Sequence, residues 1–194
     1  LGNCVTLLIV LSVALSVVFT IFGEPVLRAF GASENTLPYA MAYLRIYLMG
    51  TIFVQFTLGM TPFITNQGFA MTSMATTCIG AVSNIILDPI FIYGFNMGVE
   101  GAAIATILSQ ALSAVWVLIF FTGKRNILRI RKQNLFPSAK TLALVLSLGV
   151  SPFLMTATEC VIQLAFNTGA AAYGGDDAVA IMSILFSVAQ ISNL

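Results

Sequence analysis

Residues 101–123 read GAAIATILSQALSAVWVLIFFTG, 23 consecutive positions without a charge. A helix needs roughly 20 apolar residues to cross the hydrocarbon core of a bilayer, so this run is long enough to span one. Working outward, the uncharged runs 5–22, 46–65, 69–87 and 141–158 are of similar length. Glu159 interrupts the last of these, and the apolar pattern then resumes to residue 175. A sixth run occupies 178–194. One or two such runs fit inside a soluble core, but six in series predict an all-α, polytopic transmembrane helix bundle. In lipid every backbone polar group must be satisfied within the segment, and a helix does that.

Composition supports the same reading. Hydrophobic residues make up 59% of the 194 positions and charged residues 8%. A soluble domain carries about 25% charged residues to face water. The net charge of +1 leaves no broad basic face for phosphates, so a nucleic-acid partner is not expected. Cys4, Cys78 and Cys160 all lie in apolar runs and read as small buried hydrophobes, with no disulfide framework and no metal-ligand spacing. Histidine is absent, so proton chemistry falls to Asp and Glu. No paired catalytic groups occur within the spans, so an enzyme is not expected, nor is a cofactor. The chain starts without Met next to one apolar run and ends inside another, which predicts an internal segment of a longer protein.

Loops are marked by Gly23, Pro25, Gly31 and Pro38, by Asn66-Gln67-Gly68, by Gly94, Asn96 and Gly98, and by Gly174-Gly175-Asp176-Asp177. The connection at 124–140 differs from these. Lys124, Arg125, Arg129, Arg131, Lys132 and Lys140 fall there with no acid among them, six of the chain's eight cations. Basic loops stay cytoplasmic, so 124–140 should face the cytoplasm, as should 66–68 after an even number of crossings. The loops at 23–38, 94–100 and 171–177 should then face outside.

Few polar residues inside the spans can carry chemistry. Asn84 and Asp88 lie four apart and share one helix face. Pro89 follows, removes a backbone donor and predicts a kink. An amide, a carboxylate and freed carbonyls together suit a small cation. The alternative role for Asp88 is that of a helix-end residue near the interface. With the third span ending near Tyr93 and the fourth beginning near Val99, Asp88 lies roughly 8 Å deep and Thr106 roughly 10 Å deep at 1.5 Å per residue. The two can therefore meet at one depth, although a membrane Thr also commonly bonds its own helix backbone. Glu159 is the one acid in the middle of the fifth span, with Pro152 as a second expected kink and Gln163 one turn further on. Ionisable residues at such depth face a cavity or a bundle interior; the alternative is a neutral, hydrogen-bonded structural Glu. Arg45, among tyrosines at the start of the second span, is expected to snorkel to the interface.

The block Asn84-Ile-Ile-Leu-Asp-Pro-Ile-Phe-Ile-Tyr-Gly, followed by Met97-Gly-Val-Glu-Gly-Ala-Ala-Ile-Ala-Thr106, closely resembles the signature of the multidrug and toxic compound extrusion (MATE) transporters. Gly149-Val-Ser-Pro-Phe-Leu-Met and the stretch from Asn167 to Asp176 are similar to the entry and exit of that family's seventh helix. The resemblance implies a twelve-helix, two-lobe transporter of which this chain supplies helices three to eight. Residues 1–123 would then close the N-terminal lobe, 124–140 would link the lobes, and 141–194 would begin the C-terminal lobe. It further implies a proton- or sodium-coupled antiporter that exports organic cations, drugs or metabolites across the cell membrane by alternating access. Its partners would be a small organic substrate, the lipid bilayer and the remaining helices. Carried over residue by residue, the coupling site falls on Asn84, Asp88 and Thr106 in some members and on Glu159 in others. An Asp from the first helix that completes the former lies outside this chain. Two other readings stay open. A lipid-linked oligosaccharide flippase of the same superfamily would need several cations in its cavity, and the spans offer only Arg45. A non-transporting membrane scaffold would leave Glu159 without a role.

Overall fold

A computed structural model describes residues 1–123 and 139–192. The 124–138 part of the expected inter-lobe loop lies outside the described residues. Helix α1 spans Gly2–Ala29, α2 Leu37–Asn66, α3 Ala70–Pro89, α4 Gly98–Thr122 and α5 Ala139–Ser192. No strand occurs among the described residues. Among the described residues, five helical segments are long and apolar enough to cross a bilayer: Gly2–Ala29, Leu37–Asn66, Ala70–Gly94, Gly98–Thr122 and Leu142–Gly175. The run expected as a sixth span contributes a shorter apolar helix among the described residues, Asp177–Val188. It is set off by a break at Gly175, whose backbone leaves the helical region (φ 65°, ψ −159°). Pro152 lies inside the longer part of α5.

The first connection is shorter than its Gly and Pro markers suggested. Gly23 and Pro25 lie within α1. Pro25 costs the helix one donor, but an ion pair one turn apart, Arg28 to Glu24 at 3.1 Å, braces the same turn. The helix stops at Gly31, which takes a φ of 94° that a side chain would resist. There Ala32 N–H donates to the Leu27 carbonyl (3.0 Å) and Gly31 N–H to the Arg28 carbonyl (3.1 Å), the paired bonds of a Schellman end. Gly68 ends α2 in the same way, with Phe69 N–H on Ile64 and Gly68 N–H on Thr65. Pro38 stands in the first turn of α2, where its missing N–H removes no helical bond. Arg28 also pairs with Glu34 in the connecting loop, and this hydrogen-bonded guanidinium holds the Glu34 carboxyl below its ordinary range.

Directly after Pro89 the backbone widens into one π-helical turn, Ile90–Gly94. Pro89 has no N–H to return to the carbonyl four residues earlier, and the ladder shifts outward. Phe95 N–H reaches Ile90 at 3.0 Å and Met97 N–H reaches Phe91 at 3.2 Å. Asn96 then takes a left-handed φ of 51° and the chain reverses into α4.

Contacts divide the chain into two units, 1–21 with 42–146 and 22–41 with 147–194. In the first, Val5, Met60, Ile64, Val117 and Phe121 form a buried cluster that joins α1, α2 and α4, with Phe63, Phe69 and Phe120 packed around it. Small residues let these helices approach closely. A side chain at Gly59 would collide with Leu8, and one at Gly50 with Ile107. The outer faces are apolar: Ile21, Met71, Ile85 and Ile119 are each at least 60% exposed. Water would penalise that surface, whereas hydrocarbon does not. In the second unit, Thr168 Oγ1 donates to Ala29 at 3.3 Å and to Leu164 at 2.8 Å, and this ties the end of α1 to α5.

Gly101 gives a test of the α3–α4 reversal. A Cβ there would stand 2.8 Å from the backbone carbon and oxygen of Phe91, which cannot rotate away. Gly101→Ala is expected to destabilise the purified protein in detergent by about 1–3 kcal/mol, the usual cost of overpacking. Thermal unfolding should show a lower melting temperature, and an unchanged one would contradict this packing.

Candidate functional site

The helices of the first unit line a half-open cavity of about 410 Å³. Thr57 and Thr61 face it from α2, Thr76, Thr77, Gly80 and Asn84 from α3, and Thr106, Ser109, Gln110 and Ser113 from α4; Leu58, Pro62 and Ala81 complete a lining whose surface is mostly apolar. Among the described residues, no charged side chain lines it. The lining arises from residues spaced about one helical turn apart, so each helix presents one polar stripe. On α3 the stripe runs Thr72, Thr76, Gly80, Asn84 and Asp88, every fourth residue.

Asn84 Nδ2 donates to Asp88 Oδ1 at 3.3 Å. Both side chains are half-buried. Asp88 itself does not line the cavity; Asn84 does, and carries the polar stripe from the cavity one turn further to the carboxylate. Thr106 lines the cavity on the facing helix, and its hydroxyl donates to its own helix at Ala102 (2.9 Å). The structure therefore brings Asn84 and Thr106 to one cavity and joins Asp88 to it through Asn84. Glu159 belongs to the second unit. It is exposed on α5, as is Gln163 one turn on. A shallow apolar groove along the same helix is formed by Phe153, Thr156, Ala157, Cys160, Val161 and Leu164, with Glu159 outside it. Arg45 is exposed. Among the described residues, no group of three or more His, Cys, Asp or Glu could hold a metal ion.

Thr57, Thr61, Thr76, Ser109 and Ser113 went unnoticed in the sequence, where single hydroxyls in apolar runs carry little signal. Their spacing does carry one: Thr57 and Thr61 lie four apart, as do Ser109 and Ser113. The hydroxyl protons have definite destinations. Thr61 donates to Thr57 O (2.6 Å), Thr76 to Thr72 O (3.0 Å) and Ser109 to Ala105 O (2.7 Å). Ser113 reaches across to α3 and donates to Thr76 O at 3.1 Å. Thr57 Oγ1 is buried and has no hydrogen-bond partner.

The family model described as MatE matches residues 1–90. The multidrug export protein MepA of Staphylococcus saprophyticus is 31% identical over 179 residues, which cover 92% of this chain and 40% of that protein. The MepA of Staphylococcus haemolyticus is 30% identical over 186 residues, covering 96% of this chain and 41% of that protein. The chain thus spans about two fifths of the length of these curated relatives. A solved inward-facing structure of a multidrug resistance MATE family transporter of the MOP superfamily superimposes with a TM-score of 0.88 at 26% identity. It is matched over 96% of this chain and 43% of its own.

The contact between Gly80 and Ser113 is testable by a double-mutant cycle. Ser113 is 1% exposed, and a Cβ at Gly80 would stand 2.8 Å from its Oγ. Ser113→Ala removes one cross-helix hydrogen bond, worth about 0.5–1.5 kcal/mol. Gly80→Ala should destabilise the protein more when Ser113 is present than in the Ser113→Ala background, since the obstructing oxygen is then gone. Additivity within about 0.5 kcal/mol, the level found for independent sites, would show that the two positions do not touch.

Proposed function

Because the chain belongs to the multidrug and toxic compound extrusion (MATE) family, a family of transporters and not enzymes, we propose that the longer protein it forms part of is a cation-coupled multidrug antiporter. The protein is a multipass membrane protein, and the proposed location is the cell membrane with 124–140 facing the cytoplasm. In this reading 1–123 closes the N-terminal lobe and 141–194 opens the C-terminal lobe. The substrates are organic cations, drugs or metabolites, and the driving ion is a proton or sodium.

One observation carries the assignment of the coupling site: Asn84, which lines the polar cavity together with Thr106, is hydrogen-bonded to Asp88. The cavity supplies neutral dipoles, and Asp88 supplies the charge. An inward-moving ion neutralises the carboxylate, the Asn84–Asp88 bond rearranges, and the packing of α3 on α4 changes with it. The π turn after Pro89 offers a backbone already widened one residue from that carboxylate. Glu159, on a different helix, is assigned to substrate selection. The uncharged cavity lining speaks against a flippase that must hold a diphosphate.

Efflux by the full-length protein tests this. Asp88→Asn keeps shape and hydrogen bonding but loses the titratable charge, and is expected to abolish ion-driven efflux at near-normal expression. Asn84→Ala and Thr106→Ala should weaken efflux by smaller factors, and Glu159→Gln should change which drugs are carried. Normal coupling in Asp88→Asn with lost coupling in Glu159→Gln would move the site to α5. Orientation has its own check. A cysteine at Ser138, on a background lacking the native cysteines, should resist impermeant thiol reagents in whole cells. Rapid labelling from outside would invert the topology.

A further inference from the structure

The end of α1 is capped by α5. Contacts group 22–41 with 147–194, although these stretches lie on opposite sides of the 124–140 connection in the sequence. The last four carbonyls of a helix have no partner within it. In α1 three of them are met by the turn that follows: Phe30 N–H donates to Val26 O, Ala32 N–H to Leu27 O and Gly31 N–H to Arg28 O. The fourth, Ala29 O, receives the hydroxyl proton of Thr168 from α5 at 3.3 Å. Gly31 lies against the same face of α5. A Cβ there would stand 3.4 Å from Asn167 O and 3.6 Å from the Ala171 Cβ, which is van der Waals contact. One turn of α5, from Asn167 to Ala171, thus covers the end of α1.

The bonding at this seam suits a contact that parts and re-forms. Thr168 shares its one proton between Ala29 O and Leu164 O, and the bond within its own helix is the shorter, at 2.8 Å. On separation the hydroxyl keeps Leu164 O and leaves no orphan donor, while Ala29 O, at a helix end, can turn to water. Asn167 adds nothing to the hold, since its Oδ1 is buried without a hydrogen-bond partner. An unpaired buried acceptor penalises the arrangement that buries it. The turn itself is braced independently of α5, because Arg28 pairs with both Glu24 and Glu34 across it. It can therefore leave α5 as a preformed piece and return to it.

We propose that the 28–31 turn and the Asn167–Ala171 face of α5 form an outer latch, closed in this structure, that must part each time the transporter releases substrate. The inference rests on the two-lobe antiporter reading above. In that reading the turn belongs to the N-terminal lobe and α5 to the C-terminal lobe, and both meet on the outer side. Their contact then shuts the path at that end. Gly31 sets how closely the two sides meet, and the Thr168 bond to Ala29 O is the part made only when they do.

The test uses the full-length protein with its native cysteines replaced, carrying Gly31→Cys and Ala171→Cys. Cβ atoms roughly 3.5–4.5 Å apart can be joined by a disulfide, and 3.6 Å separates these two positions. Oxidation in membranes is expected to yield the disulfide-linked peptide by mass spectrometry. It should also cut drug efflux by roughly tenfold or more, because a transporter that cannot open cannot turn over. Reduction should restore the efflux of the same sample. Complete cross-linking with efflux intact would overturn the latch, and so would a failure of the folded protein to cross-link. Gly31→Cys places a side chain at a φ of 94°. If that variant does not fold, Ala29→Cys with Thr168→Cys, bridged by a short bis-methanethiosulfonate, takes its place with the same deciding outcomes. Drug efflux by the cysteine-free parent is measured alongside. A parent that exports nothing would refute the antiporter reading, whereas a parent and a cross-linked protein that export equally would refute the latch alone.

Discussion

A hydroxyl inside a membrane helix has no bulk water to receive its proton, and the nearest acceptor is the carbonyl one turn back along its own helix. That constraint shapes the centre of this protein. Thr61, Thr76, Thr106 and Ser109 all satisfy it within their own helices, and Ser113 satisfies it across the α3–α4 seam. Each bond makes a polar side chain tolerable at depth. Each also strips the exposed oxygen of its donor capacity. The polar stripes of α2, α3 and α4 thus converge, once assembled, on one cleft, with Asn84 linking it to the Asp88 carboxylate one turn further on.

The same seam depends on residues too small to obstruct it. Gly80 leaves room for Ser113 Oγ, and Gly101 lies against the backbone of Phe91 where the π turn brings it close. Close approach is what allows a serine, the shortest hydroxyl side chain, to bridge two helices. The widened turn after Pro89 sits at the far end of the seam. The Asp88 carboxylate therefore adjoins a backbone whose regular ladder is already interrupted one residue away.

Much of this was legible in the sequence, for identifiable reasons. Length and lack of charge located the helices, because a bilayer demands both at once. The pair Asn84 and Asp88 stood out because four-residue spacing is geometry, and the 3.3 Å bond between them follows from it. Helix ends were less legible. Gly23 and Pro25 read as loop markers yet lie inside α1, since the local i,i+4 ion pair supports the turn and the stop signal is Gly31. The hydroxyl cavity was hidden for a different reason. Thr57, Ser109 and Ser113 come from helices far apart in the chain, and a single Thr or Ser in an apolar run usually bonds its own backbone. Only packing shows that their free faces converge.

We propose that Asp88, hydrogen-bonded to Asn84 at the edge of the cavity, is the group whose charge changes when the full-length protein works. Infrared difference spectroscopy of the full-length protein, switching pH or sodium in the membrane, reads that change directly. A carboxylic C=O band should appear and disappear with the coupling ion, be absent in Asp88→Asn, and shift when Asn84→Ala removes the hydrogen bond. It should persist in Glu159→Gln. A band that survives in Asp88→Asn and vanishes in Glu159→Gln would contradict the assignment and place the charge change on α5.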